Sequence, residues 1–266
     1  MKRVLFFLLI SGLTTIVAFG QKKETRQVSG FTGINASSVF DITVSKGSTE
    51  SLNIEADNDV MQYVRSEVKD GVLNLYVDGN NRVRNIKVLR VNIVMKNLDK
   101  VILSGACKLK TNDMFTSNEF KADCSGASNI DLNLNTGQLS IEASGACNIL
   151  IKADVSGDSK IEVSGASKIQ GELKTKNVKY SSSGVCSVNL SGSATDIKIN
   201  TSGTSKINAG DFAVKSAAIV SSGTSSVTVN ASEFLKINSS GASSVNYKGS
   251  PVVESNSSRT SKIRKI

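Results

Sequence analysis

The residues of this sequence best suited to acid–base chemistry are three carboxylates, Asp123, Glu142 and Glu162, which recur at nearly equal intervals. Enzymes that cleave acidic polysaccharides use clustered carboxylates with Lys or Arg, because a base must lie within reach of the proton it removes. Lys121 and Lys160 each precede a carboxylate by two residues, so the same column also fits a row of surface ion pairs. The chain has no His, which excludes His-based catalytic triads.

These carboxylates occupy one position of a repeat that runs down most of the chain. A tetrad Ser-Gly-Ala-Ser, or a close variant, returns with its glycine at intervals of 18 to 21 residues. The glycines are Gly105, Gly126, Gly145, Gly165, Gly184, Gly203, Gly223 and Gly241, and a ninth copy carries Arg259 at the same position. Self-similarity of about 20 residues in a strand-rich sequence is typical of a solenoid in which each repeat is one coil. The predicted fold is therefore all-β, a right-handed parallel β-helix.

Aliphatic residues flank the tetrad at a spacing that a strand turns to one side. Four residues before each glycine lie Val101, Ala122, Ile141, Ile161, Tyr180, Ile199, Ile219 and Ile237. Four residues after it lie Leu109, Ile130, Ile149, Ile169, Val188, Ile207, Val227 and Val245, with Ile263 in the ninth copy. We expect these ladders to face a common interior. The same alternation places the tetrad glycine inward, in a narrow space that only a small residue fits.

The residues directly before and after each glycine point the other way, outward, and they have small side chains. The predicted contact stripe consists of Ser125, Ala127, Ser144, Ala146, Ser164, Ala166, Ser202, Thr204, Ser222 and Thr224. A flat stripe of small residues can dock against another chain, a glycan or ice. Small residues are also favoured by a tight bend in a flat stacked sheet, so both interpretations stay open.

Three of the four cysteines lie in one column, two residues after the glycine, where they alternate with serine. Cys107, Cys147 and Cys186 are two coils apart, or roughly 9.6 Å by strand stacking, whereas a disulfide needs Cα atoms about 4.4 to 6.8 Å apart. Cys124 lies on a neighbouring coil, four residues out of register. We therefore expect four reduced, largely buried thiols. A zinc site is disfavoured because the sequence lacks His and a Cys-x-x-Cys motif.

The region before the first tetrad is predicted to cap the first coil, since an open coil exposes a strand edge. The candidate strands cover residues 39–44, 51–56, 72–77 and 87–95. Residues 57–65 combine N-cap residue types with apolar spacing at three and four, which predicts one short helix. The predicted organisation is a signal peptide over residues 1–20, an N-terminal cap with the first coils over 21–100, and the repeat solenoid over 101–266.

The first residues predict export. Lys2 and Arg3 precede an apolar run from Val4 to Phe19, which is typical of a secretory signal peptide cleaved after Gly20. The run is shorter than the roughly 20 residues that a membrane-spanning helix needs, so no transmembrane span is expected in the mature chain. The expected location is the periplasm, the outer-membrane surface or the extracellular space. The net charge is +9, but the lysines are scattered and aromatic residues are few, so nucleic acid is not a predicted partner.

The N-terminal region also carries a recognisable set of motifs. Residues 31–35 read Phe-Thr-Gly-Ile-Asn, residues 39–44 read Val-Phe-Asp-Ile-Thr-Val, and residues 71–75 read Gly-Val-Leu-Asn-Leu, ahead of the Ser-Gly-Ala-Ser coils. This combination resembles the putative auto-transporter adhesin head GIN domain family of Bacteroidetes envelope proteins, and residues 33–35 look like the Gly-Ile-Asn motif that names it. The resemblance covers nearly the whole mature chain and implies a β-helical fold and an exported location. It implies no demonstrated activity and no catalytic residues.

Two classes of function fit these observations. The first is an exported, non-enzymatic β-helix with a cell-envelope, adhesion or interaction role, whose candidate partners are a cell-surface glycan or an envelope protein. The alternative is a polysaccharide-active enzyme on the same scaffold, which would use Asp123, Glu142 and Glu162. We predict no cofactor and no metal site. Depolymerisation of a uronate polymer that is lost in Glu142→Gln would favour the enzyme.

Overall fold

The computed structural model describes residues 20–79 and 85–266, so the predicted signal peptide, apart from Gly20, lies outside the described residues. The described chain contains one helix, α1 (Asn58–Met61), and the following strands. They are β1 (Gln21–Arg26), β2 (Gly33–Ser38), β3 (Asp41–Lys46), β4 (Ser51–Asp57), β5 (Val64–Lys69), β6 (Val72–Val77), β7 (Leu89–Met95), β8 (Lys100–Gly105), β9 (Lys108–Thr111), β10 (Phe115–Cys124), β11 (Asn129–Ala143), β12 (Asn148–Val155), β13 (Asp158–Val163), β14 (Lys168–Lys174), β15 (Asn177–Ser182), β16 (Ser187–Thr201), β17 (Lys206–Ser221), β18 (Ser226–Ser239), β19 (Ser244–Lys248), β20 (Val252–Ser257) and β21 (Lys262–Lys265).

The strands stack into a β-solenoid of about 9 turns, which confirms the predicted fold class. One sheet has the order β1-β4-β7-β3-β9-β11-β12-β14-β16-β17-β18-β19-β21, and the second has the order β5-β6-β2-β8-β10-β11-β13-β15-β16-β17-β18-β20. Four long strands, β11, β16, β17 and β18, turn a corner and belong to both sheets. In β11, residues 129–136 pair with β12 and residues 139–143 pair with β13.

Antiparallel strands close the N-terminal end of the stack. β4 pairs antiparallel with β7 and β1 with β4, while β5 pairs antiparallel with β6 in the second sheet. β2 and β3 instead pair in parallel with β8 and β9. The coil that they form is therefore stacked like the later ones, with Ser38 opposite Gly105.

The four strands predicted in this region are confirmed as β3, β4, β6 and β7, with ends that differ by at most two residues. The helix predicted over residues 57–65 is shorter, because α1 is a single turn, Asn58–Met61, and Val64 already begins β5. Asp57 precedes the helix without capping it through its side chain. Its Oδ2 accepts a hydrogen bond from the backbone N–H of Lys87 at 2.8 Å instead, which joins the start of the helix to the residues just before β7.

The predicted aliphatic ladders form the core. Every member from Val101 to Val245 is buried, and Ile263 in the last coil is half-buried because β21 has a neighbouring strand only in β19. The column two residues after the glycine is also buried: Cys107, Ser128, Cys147, Ser167, Cys186, Ser205, Ser225 and Ser243. At about 25 cal/mol per Å² of apolar surface, this continuous interior is the main stabilising contribution to the stack.

The prediction that the tetrad glycine points inward is wrong. Gly165 is exposed and has a φ of +75°, in the four-residue turn 164–167 between the end of β13 and the start of β14. A Cβ at this position would lie 2.4 Å from the carbonyl oxygen of Gly145 in the preceding coil. The inward and outward alternation of side chains does not extend to Gly165, because β13 ends before the turn. Only glycine fits here because a side chain would collide with the backbone of the neighbouring coil. The facing sheet does not impose this restriction.

Candidate functional site

A groove of about 620 Å³ runs along the outer face of the second sheet, beside the glycine turns. We call it the serine groove. Two outward columns line it. The column three residues before the glycine contains Ile102, Asp123, Glu142, Glu162, Ser181, Asn200 and Val220, and the column one residue before it contains Ser125, Ser144, Ser164, Ser183, Ser202 and Ser222. Parallel pairing of successive strands holds each column in register. The groove therefore presents the same positions repeatedly along the solenoid axis.

The predicted carboxylate column is confirmed, since Asp123 pairs with Glu142 and Glu142 with Glu162 in the strand register. Lysines occupy the next column of the same face. Lys121 Nζ lies 3.6 Å from Asp123 Oδ1 and 3.3 Å from Glu142 Oε1, and Lys160 Nζ lies 2.8 Å from Glu162 Oε2. The carboxylates are thus ion-paired, as the surface-pair interpretation predicted.

Lys121 is the cation in this row that contacts two carboxylates. Its hydrogen bond with Glu142 and its attraction to Asp123 raise the pKa of its ammonium group. The side chain is 41% exposed, so solvent screens the pairs and their contribution to stability is small. Their main effect is to offset the negative charge at one end of the serine groove.

Ser125, Ser164, Ser202 and Ser222 donate their hydroxyl protons to carbonyls of the preceding coil. Ser125 Oγ donates to the carbonyl of Leu103 at 3.3 Å, and Ser164 Oγ donates to the carbonyl of Ala143 at 3.4 Å. Each hydroxyl keeps acceptor lone pairs on the groove side. Together with the carboxylates and the amide of Asn200, they make a surface that is rich in hydrogen-bond acceptors.

The predicted contact stripe is divided by the turn. Its serines Ser125, Ser144, Ser164, Ser202 and Ser222 line the serine groove. Its other members, Ala127, Ala146, Ala166, Thr204 and Thr224, are exposed on the far side of the glycine and do not line the groove. From the sequence, the carboxylates and the contact stripe are separate candidate sites. Ser181 and Asn200 were not predicted, although both lie three residues before a glycine.

A second groove of about 550 Å³ lies on the same sheet, farther from the turns. It is crossed by Lys160, Lys179 and Lys198, which are paired neighbours on three successive strands. Asp158 and Asp196 line its other side, and Phe234 at one end is 38% exposed. The alternating charges give this groove no single preferred sign of ligand.

All four cysteines are buried, as expected, and have free thiols. Among residues 20–79 and 85–266, no group of three or more His, Cys, Asp or Glu side chains is arranged to hold a metal ion. In the same described part of the chain, no helix has the length and apolar character needed to cross a membrane.

The chain matches the model of the family described as putative auto-transporter adhesin, head GIN domain, over residues 30–157 and again over residues 151–251. It therefore belongs to this family, and the resemblance seen in its motifs is confirmed. The two matched segments together span the cap and nearly all the coils. The family's description as adhesins indicates an adhesion role and a surface or exported protein.

Several crystal structures share the fold. A putative adhesin from Parabacteroides merdae is 22% identical with a TM-score of 0.73, covering 92% of this chain and 96% of that one. A putative adhesin from Parabacteroides distasonis is 20% identical with a TM-score of 0.74, covering 94% and 98%. A putative lipid binding protein from Parabacteroides distasonis is 18% identical with a TM-score of 0.67, covering 92% and 96%. No curated protein matches the sequence.

Proposed function

We propose that this protein is an exported, non-enzymatic β-solenoid that serves adhesion at the cell envelope, with the serine groove as its contact surface and a cell-surface glycan as its ligand. The observation that carries the proposal is the alignment of carboxylate, amide and hydroxyl acceptors in one groove. Glycan hydroxyls donate hydrogen bonds to such acceptors. Membership of a family described as adhesins supports the same role.

The geometry of the groove favours a linear polymer over a compact ligand. Successive coils repeat the serine column at about 4.8 Å, so a chain laid along the axis meets a serine hydroxyl at each of six successive steps. The groove extends from Ile102 to Val220, across the middle of the stack. Many weak, repeated contacts then combine into useful avidity.

A pair of matched substitutions tests the contact surface. Asn200→Arg places a long cation in the groove, whereas Gln170→Arg makes a comparable change at an exposed position of the first sheet, on β14. We expect Asn200→Arg to reduce binding of labelled protein to isolated cell envelopes at least tenfold, and Gln170→Arg to leave it unchanged. Periodate oxidation of the envelope glycans should abolish wild-type binding. Equal binding by both variants would contradict the proposed surface.

Lipid is the control ligand, because one of the similar structures is described as a putative lipid binding protein. Vesicles prepared from extracted envelope lipids should not retain the wild-type protein. Retention on vesicles that survives periodate treatment would replace the glycan by a lipid ligand.

The enzymatic alternative has its own test. Asp123, Glu142 and Glu162 each make an ion pair with Lys121 or Lys160, as a row of surface ion pairs requires. We therefore expect no depolymerisation of a panel of uronate polymers. Cleavage by the wild type that disappears in Glu142→Gln would overturn the non-enzymatic assignment.

A further inference from the structure

Lysines form a column on the outer face of the second sheet, five residues before the tetrad glycines. Strand pairing aligns this column, whose lysines are Lys100, Lys121, Lys160, Lys179, Lys198 and Lys236. Lys179 and Lys198 are direct neighbours on β15 and β16, so their side chains leave the sheet about 4.8 Å apart. Like charges at this spacing repel each other, and an anion bound between them offsets the repulsion.

The ion pairs of this column leave out Lys179 and Lys198. Glu162 stands two residues after Lys160 and lies 2.8 Å from its Nζ, whereas the same position after Lys179 and Lys198 is a serine and an asparagine. Within residues 20–79 and 85–266, no ion pair includes either of these two lysines. Both side chains are exposed. The described chain therefore holds two neighbouring cations without a carboxylate partner.

Hydrogen-bond acceptors lie beside these cations in the second groove. Asp196 is two residues before Lys198 on β16, so both side chains point to the same face of the sheet, and both line the groove. In that described part of the chain Asp196 makes no ion pair either. Asp158, in the same column, accepts a hydrogen bond at Oδ1 from Asn177 Nδ2 at 2.8 Å. The groove thus has cations along one side and oxygen acceptors along the other.

Phe234 adds an apolar surface at one end of the second groove. It lies on β18 in the column of Asp196, and it is 38% exposed. The strand between carries Ser216 and Ala218 on this face, so only small side chains separate Lys198 from Phe234. An aromatic ring packs well against the C–H groups of a sugar ring. This surface therefore favours a sugar over an inorganic anion.

We propose that the second groove binds an acidic glycan, with a carboxylate of the glycan between the ammonium groups of Lys179 and Lys198. Ring hydroxyls beside that carboxylate donate hydrogen bonds to Asp196, and a neighbouring sugar packs against Phe234. A sugar acid carries a carboxylate and hydroxyls on one ring, which matches the two sides of the groove. The lysines line the second groove and not the serine groove, so this inference does not depend on the proposed function.

Binding of a purified uronate polymer to the folded protein tests the site. Isothermal titration calorimetry with polygalacturonate compares the wild type with the double variant Lys179→Gln/Lys198→Gln. We expect the double variant to bind at least about tenfold more weakly, because two charge-assisted contacts are lost. The affinity of the wild type should fall as the salt concentration rises, since both lysines are exposed to solvent. Neutral dextran should not bind.

Two lysines of the first sheet provide the matched control. Lys168 and Lys206 are exposed, and Ser187 lies between them in the strand register, so Lys168→Gln/Lys206→Gln removes the same charge without disturbing adjacent cations. This variant should bind polygalacturonate as the wild type does. An equal loss in both double variants would overturn the proposal, because binding would then follow the net charge of the protein. So would a wild-type protein that does not bind the polymer.

A third variant separates a glycan from other polyanions. Phe234→Ala removes the apolar surface and leaves the charge unchanged, so it should also weaken the binding of polygalacturonate. Unchanged binding by this variant would overturn the assignment of the ligand as a glycan.

Discussion

Ser38 stands opposite Gly105 in the register of β2 and β8, and it adopts a φ of 107° at the position where each later coil up to Gly241 has a glycine. A residue with a Cβ is strained at such a φ. The first coil therefore accepts a conformational cost that the coils stacked on it avoid. Its carbonyl still accepts the N–H of Ala106 at 2.7 Å, so stacking proceeds across the strained residue.

Ser38→Gly should stabilise the protein. Relief of the positive φ is expected to gain about 1 kcal/mol, net of the greater freedom of glycine in the unfolded chain. Urea denaturation measures the change, and Ser37→Gly, one residue earlier in β2, is the control. We expect that control to be destabilising, because glycine weakens a strand where no positive φ is needed. A loss of stability in Ser38→Gly would show that the serine side chain matters more than its backbone strain.

Gly165→Ala should be strongly destabilising despite the exposure of the turn. The added Cβ meets the backbone oxygen of Gly145 at 2.4 Å and also occupies a left-handed conformation, which together cost about 2 to 5 kcal/mol. Ala166→Ser, at the next residue, should change stability by about 0.5 kcal/mol or less. Urea melts of the two variants decide the point. Equal changes in the free energy of unfolding would mean that neighbouring coils can separate at the turn without loss of stability.

Tyr180→Phe should raise stability by about 1 kcal/mol, because the fully buried Tyr180 hydroxyl has no hydrogen-bond partner among the described residues. Tyr180→Leu, which also removes the hydroxyl but leaves a space, should be destabilising. Thermal unfolding of both variants measures the balance. If Tyr180→Phe proved less stable than the wild type, the hydroxyl would have to be hydrogen-bonded in solution.

The same tyrosine gives a prediction for alkaline pH. Burial raises the pKa of Tyr180 above its ordinary value of 10.0. The unfolded chain then releases this proton at a lower pH than the folded chain, so stability falls as the pH rises above about 10. Urea melts across that range should show a smaller fall for Tyr180→Phe than for the wild type. Parallel curves would contradict the raised pKa.

The ladders were predictable from the sequence because a strand alternates strictly, and Ile141 and Ile161 follow that rule. The position of Gly165 was not, because alternation says nothing about where a strand ends and a turn begins. β1 is exposed along most of its length and is held by backbone pairing with β4, so no hydrophobic pattern marks it. Offsets from the glycine align the carboxylates and the serines separately, but that both columns line one groove depends on where each strand ends and its turn begins.

The row of backbone hydrogen bonds beside the glycine turns has a dipole along the solenoid axis. The N–H groups of Ala127, Ala146, Ala166, Val185, Thr204 and Thr224 donate to the glycine carbonyls of the coils before them, at 2.7 to 2.9 Å. Peptide dipoles aligned head to tail place partial negative charge at the end where their carbonyls emerge, which is the C-terminal end of the stack. There Thr260 Oγ1 donates to the carbonyl of Gly241 at 2.6 Å. The exposed Arg259 beside it places a cation at the negative end of this row of hydrogen bonds.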